Sequence, residues 1–116
     1  MEFLGLLSTG KGTWGQIAGL IERGEWDKIV LVGPSYAEKF SSSKKIEFVK
    51  INFDQPLKEL VEEFREKLKG RFEGMEIALS LASGSGREHM AIISALIQIP
   101  VGIKFVALTK DGIIEL

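Results

Sequence analysis

The sequence contains no cysteine, one histidine (His89), three aspartates and one asparagine (Asn52). Without cysteine there are no disulfides, no iron–sulfur cluster and no thiol catalysis. One histidine and three aspartates are poor material for a metal site, so neither a metal nor a cofactor is expected. Charge of one sign is also lacking: 15 Lys plus Arg stand against 16 Asp plus Glu, a net charge of -1. That balance excludes a protein that coats duplex DNA by bulk charge. No long hydrophobic run is present. The most apolar stretch, Met90 to Leu108, is broken by Gln98, Pro100 and Lys104, and its clean part falls short of the ~20 residues that span a bilayer. Met1-Glu2-Phe3 places an acid where a secretory leader carries Lys or Arg. The expectation is a soluble cytoplasmic protein with no membrane partner. A composition rich in Glu and Lys and poor in Asn, Gln and Cys suits a heat-adapted source.

What is present is glycine. The 13 glycines make up about 11% of the 116 residues, against a usual ~7%. The length fits one domain, 1–116. A core of that size buries roughly two-thirds of the unfolded surface and needs no covalent staple.

Strand and helix patterns alternate along the chain. Phe3 to Leu7 reads as a strand running into Ser8-Thr9-Gly10-Lys11-Gly12, and Thr13 caps a helix from Trp14 to Arg23 with Gly24 as its stop. Gly15 and Gly19, four apart, share a helix face and suggest close approach to a sheet. Lys28 to Val32 is a continuously apolar strand, as burial on both faces demands. Tyr36 to Phe40 allows a turn or two of helix, Ser41 to Lys45 is a polar loop, and Ile46 to Ile51 is a strand of mixed polarity near an edge. Asp54 to Lys69 is the clearest helix, with Asp54 or Gln55 as cap and Pro56 near its first position. Leu57, Leu60, Val61, Phe64 and Leu68 form its apolar stripe. Met75 to Leu81 is a strand, Arg87 to Ile97 a helix, and Lys104 to Leu108 a strand. Asp111-Gly112 then turns the chain into a short antiparallel strand, Ile113 to Leu116.

This alternation implies an α/β fold: a Rossmann-like three-layer α/β/α sandwich on a mostly parallel sheet with an antiparallel C-terminal hairpin. The handedness and short-connection rules favour the strand order 3-2-1-4-5-6, with 2-1-3-4-5 as the alternative. Ligands of such sheets bind beyond the carboxyl ends of the strands where the order reverses, here between the first and fourth strands. Both strands have Gly/Ser-rich exits that lead into helix N-termini: Ser8-Thr9-Gly10-Lys11-Gly12 and Ser83-Gly84-Ser85-Gly86-Arg87. Such ends offer free N–H groups to anions, and glycine lets the backbone approach a phosphate closely.

Each exit alone is ambiguous between a ligand loop and a tight turn. Gly10-Lys11-Gly12-Thr13-Trp14-Gly15 has the spacing of the dinucleotide fingerprint, but the second strand ends Val32-Gly33-Pro34, without the acid that holds a ribose. Gly12 stands where a P-loop needs Ser or Thr. Lys11 is a phosphate contact or an exposed lysine. Arg87 lies in the first turn of a helix, where the dipole disfavours a cation unless an anion is bound. His89 is a proton shuttle, a base contact or a packed helix histidine. Trp14 and Tyr36 are stacking candidates or packing residues. The helix 90–97 is apolar nearly all round, which points to a homodimer through it.

The exits of the first and fourth strands, the segment Ser83 to Arg87 followed by Met90-Ala91-Ile92-Ile93, and the terminal hairpin resemble a CRISPR-associated Rossmann fold (CARF) domain. Phe3 to Gly12 and Leu79 to Leu116 carry the resemblance, and the chain between agrees in topology alone. The resemblance implies a homodimer with a crevice across its two-fold axis and a cyclic oligoadenylate ligand. It also implies, for some members, metal-independent cleavage of that ring. Ser8, Thr9, Lys11, Ser85 and Arg87 fall where the positioning residues of such a site would lie. The expected ligand set is Ser8, Thr9, Gly10, Lys11, Gly12, Ser83, Gly84, Ser85, Gly86, Arg87 and His89. The functions to separate are a nucleotide- or phosphate-binding module, a ring nuclease, and a regulatory or structural partner whose glycine loops are only turns.

Overall fold

The computed structural model describes residues 1–8 and 13–116. Its core is a six-stranded sheet of order β3-β2-β1-β4-β5-β6, the order favoured from the sequence. The strands are β1 (Glu2–Leu6), β2 (Lys28–Gly33), β3 (Glu47–Lys50), β4 (Glu76–Ser80), β5 (Gly102–Thr109) and β6 (Gly112–Glu115). The first five are parallel, and β6 returns antiparallel on β5. Among the described residues there are also three α-helices, α1 (Trp14–Arg23), α2 (Leu57–Leu68) and α3 (Gly86–Gln98), and a 3₁₀ turn at Ser35–Lys39.

The period-two alternation of the strands divides the core in two. Leu4, Leu6, Val30, Val32, Ile77 and Leu79 face α2 and α3. Phe3, Leu7, Ile29, Leu31 and Ala78 face α1 and the 3₁₀ turn, through Ile17, Leu20, Ile21 and Ala37. Right-handed crossovers explain the division. Moving from β1 to β2 to β3 puts the connections on one face. Moving back to β4 and on to β5 puts them on the other. The reversal therefore falls between β1 and β4.

Several local expectations change. Helix α2 starts at Leu57, with Pro56 at the cap position and no side-chain cap. The reason is a turn ahead of it: Asn52 Oδ1 accepts the Asp54 amide at 3.0 Å, and Gln55 Nε2 donates to Asn52 O. Asp54 and Gln55 are thereby held outside the helix. Of the paired α1 glycines, Gly19 packs against the described residues and Gly15 does not. A Cβ at Gly19 would lie 2.4 Å from Leu108 Cδ2, whereas Gly15 is exposed and no described atom comes within 4 Å of its Cβ position. Strand β5 begins at Gly102, two residues before the apolar run suggested, because Gly102 N donates to Met75 O and continues the ladder. No helix among the described residues is long and apolar enough to cross a membrane.

Candidate functional site

The β1 and β4 exits are tied together directly. Ser8 N donates to Ser83 Oγ at 3.0 Å, and both serines are buried. Ser83 O in turn meets His89 Nε2 at 2.9 Å. A carbonyl only accepts, so Nε2 carries the proton, and in the neutral ring Nδ1 is the acceptor. On the other side, Ser8 O accepts Trp14 Nε1 at 2.9 Å. Four residues from two strand exits and two helices thus form one bonded row across the switch point.

The four residues before Arg87 divide by role. Gly84 has φ +107, and a Cβ there would lie 3.1 Å from His89 Nε2 and 3.2 Å from Glu88 Oε1. The positive φ calls for glycine there, and an added Cβ would make His89 and Glu88 give by a few tenths of an ångström. Ser85 is the N-cap of α3: its Oγ accepts the Glu88 amide at 3.3 Å, and Glu88 Oε1 accepts the Ser85 amide at 2.9 Å. This capping box gives the helix its own anion, and it uses the Ser85 hydroxyl as a structural acceptor. Gly86 has neither demand. It is helical, and beyond its chain neighbours and its own helix backbone no described atom lies within 4 Å of a Cβ built on it.

Arg87 does not lie over the Gly84–Gly86 turn. Its Nη1 donates to Phe53 O at 3.0 Å and its Nη2 to Gln55 O, so it links the start of α3 to the segment before α2. Those carbonyls answer the cation that the helix dipole disfavours. Thr9, Gly10, Lys11 and Gly12 lie outside the described residues. Of the sequence-predicted residues, Ser8, Ser83, Gly84 and His89 are therefore brought together. Ser85 and Gly86 adjoin them on α3, and Arg87 turns away.

Glu88 was missed from the sequence although Ser85-x-x-Glu88 has the capping-box spacing. Glu63 lies on α2, outside the apolar stripe. Its Oε1 accepts from Asn52 N and Gln55 Nε2, and its Oε2 accepts from Lys67 Nζ at 2.7 Å. Burial pushes its carboxyl up, but the bonds from Lys67, Gln55 and the Asn52 amide, with the Lys67 charge, outweigh it and hold the group below the ordinary glutamate range. Among the described residues no three His, Cys, Asp or Glu side chains are placed to share a metal ion.

An open concavity of about 1100 Å³ lies at the opposite end of the sheet, lined by Met1, Trp26, Lys28, Glu47 and Glu73 among others. Several of its charged groups are held by neighbours within the fold. The Met1 ammonium meets Asp27, Glu2 accepts the Glu73 and Gly74 amides, and Lys28 meets Glu47. It also lies at the amino ends of the parallel strands, away from the switch point. Size therefore does not mark it as the site, and the β1–β4 switch point remains the candidate. The chain matches no protein-family model, and a search of curated proteins finds no match.

Proposed function

We propose that the chain is a binding module for a phosphate-bearing nucleotide ligand, of the cyclic oligoadenylate class that the CARF resemblance implies, held at the β1–β4 switch point. Gly86 carries this reading. Glycine in a helix costs up to about 1 kcal/mol against alanine, and here neither a positive φ nor a packing contact with the described residues calls for it. A bare backbone in the first turn of α3, beside the crevice, is what close approach of a phosphate needs. Gly15 repeats the feature in the first turn of α1, at the exit of β1.

The geometry favours binding over cleavage. Of the candidates Ser8, Thr9, Lys11, Ser85 and Arg87, the Ser85 hydroxyl accepts a cap bond and the Arg87 guanidinium holds two carbonyls, so these two already have structural duties. The proposed assembly is a homodimer through α3. Met90 and Ile97 are 58% and 67% exposed on that helix, and no charged residue occurs from Met90 to Ile103. The Glu- and Lys-rich composition supports a heat-adapted source.

Calorimetry against cyclic tetra- and hexa-adenylate tests the binding reading, and no heat with either sinks it. Incubation with the same rings in EDTA, followed by chromatography, separates a module that returns the ring intact from a nuclease that linearises it.

A further inference from the structure

The bonded row across the strand ends does not stop at Ser8. Trp14, fixed by its bond to Ser8 O, lies with its ring within 4° of parallel to Tyr36, the centroids 6.4 Å apart. Phe40 meets Trp14 edge-on, at 70° and 6.1 Å, and so holds the indole from the side. Tyr36 stands on the 3₁₀ turn that follows β2 and is 42% exposed, while Trp14 is half-buried. From β4 through β1 to β2, the carboxyl ends thus carry two buried serines and then an aromatic pair. Adjacent strands are about 4.8 Å apart, so this row covers about 10 Å. That is comparable to the reach from the phosphate of one nucleotide to its base.

From this juxtaposition we infer that Trp14 and Tyr36 form the stacking platform for a purine base whose phosphate lies at the β1–β4 crevice. The inference rests on the crevice being a nucleotide site. An indole is a bicyclic surface of purine size, and aromatic pairs of this kind offer large rigid faces at low entropic cost. The β2 exit, Val32-Gly33-Pro34, brings no acid to hold a ribose hydroxyl. Stacking at Tyr36 supplies, at that exit, the grip on the nucleoside that the missing acid would otherwise give. Stacking reads the π-face and leaves the hydrogen-bonding edge of the base outward, so preference among bases is expected to be modest.

The probes are adenosine 5′-monophosphate, cyclic tetra-adenylate and base-free ribose 5-phosphate, followed by calorimetry. Tyr36→Ala is expected to weaken the two base-bearing probes by about tenfold or more, as loss of one stacked base does, and to leave ribose 5-phosphate unchanged. Tyr36→Phe, which restores the ring, stays within about twofold of the wild type because stacking needs only the π-face. In a Trp26→Phe protein, where Trp14 is the remaining tryptophan, the base-bearing probes quench the fluorescence and ribose 5-phosphate does not. Should Tyr36→Ala bind cyclic tetra-adenylate as tightly as the wild type, with no quenching of Trp14, the stacking inference is overturned while the crevice reading stands. Absence of heat with all three probes overturns both.

Discussion

Gly84 and Gly86 are two residues apart, yet the structure assigns them opposite responses to alanine. At Gly84 the backbone has φ +107, and the added methyl group would sit 3.1 Å from His89 Nε2 and 3.2 Å from Glu88 Oε1. Holding a non-glycine residue in such a region costs of order 1–3 kcal/mol. The crowding adds to this, because His89 and Glu88 are themselves held by Ser83 O and the Ser85 amide. We expect Gly84→Ala to lose about 2–3 kcal/mol. For a domain of this length, each kcal/mol shifts the midpoint by about 3–6 °C, between the ranges for smaller and larger domains, so the loss is about 6–18 °C. Gly86→Ala meets open space in a helical conformation, and a compatible Gly→Ala change stabilises by about 0.4–1 kcal/mol. The midpoint should rise by about 1–6 °C. Urea and thermal unfolding of the two ligand-free variants measure both numbers. The same Gly86→Ala protein, more stable than its parent, should bind cyclic tetra-adenylate more weakly. A Gly84→Ala loss below about 0.5 kcal/mol would refute the strain assignment. A Gly86→Ala protein that gains stability and binds as well as the wild type would remove the observation on which the binding reading rests.

Other expectations follow from single contacts. Ser83→Ala leaves the buried Ser8 N–H without its acceptor, and should cost about 1–3 kcal/mol in urea unfolding. Protection of the Ser8 amide against hydrogen exchange should fall with it, and undiminished protection would show that the bond is not a strut. The carboxyl of Glu63 is held below its ordinary range. Its contribution is therefore complete above that range and is lost as the pH falls through the lower folded-state value. Glu63→Gln should flatten the acid limb of a stability-against-pH profile, and an unaltered limb would refute the assignment. Ile97→Glu places a charge on the 67% exposed position of α3. In sedimentation it should yield monomers from the proposed dimer with little change in the unfolding midpoint.

The fold was legible because the continuous apolar run Ile29–Val32 and the heptad-like stripe of Leu57 to Leu68 leave few alternatives, and the handedness rule then orders the strands. The site was legible as a place but not as an arrangement. Ser8 and Ser83 are separated by 75 positions, and no spacing rule reveals that a backbone amide of one reaches the hydroxyl of the other. Arg87 was misleading for a related reason. Its charge at a helix N-terminus suggested a missing anion, and the carbonyls of Phe53 and Gln55 that answer it lie in a turn whose course depends on Asn52. The capping box of Ser85 and Glu88 was local, and its spacing alone could have revealed it.

The central place of β1 has a kinetic consequence. Glu2 pairs on one side with Lys28 and on the other with Ile77. During synthesis the first neighbour follows β1 from the ribosome almost at once, while the second must wait until nearly fifty further residues have emerged. Until then one long edge of Phe3, Leu4 and Leu6 stands with unpaired amides and carbonyls beside apolar side chains, a template for any passing strand. Closure of that edge is a long-range event whose loop entropy is paid before its hydrogen bonds form. Made before both of its neighbours, β1 is thus the strand whose pairing is completed late, and the nascent chain is most exposed to misassembly in the interval between β2 and β4.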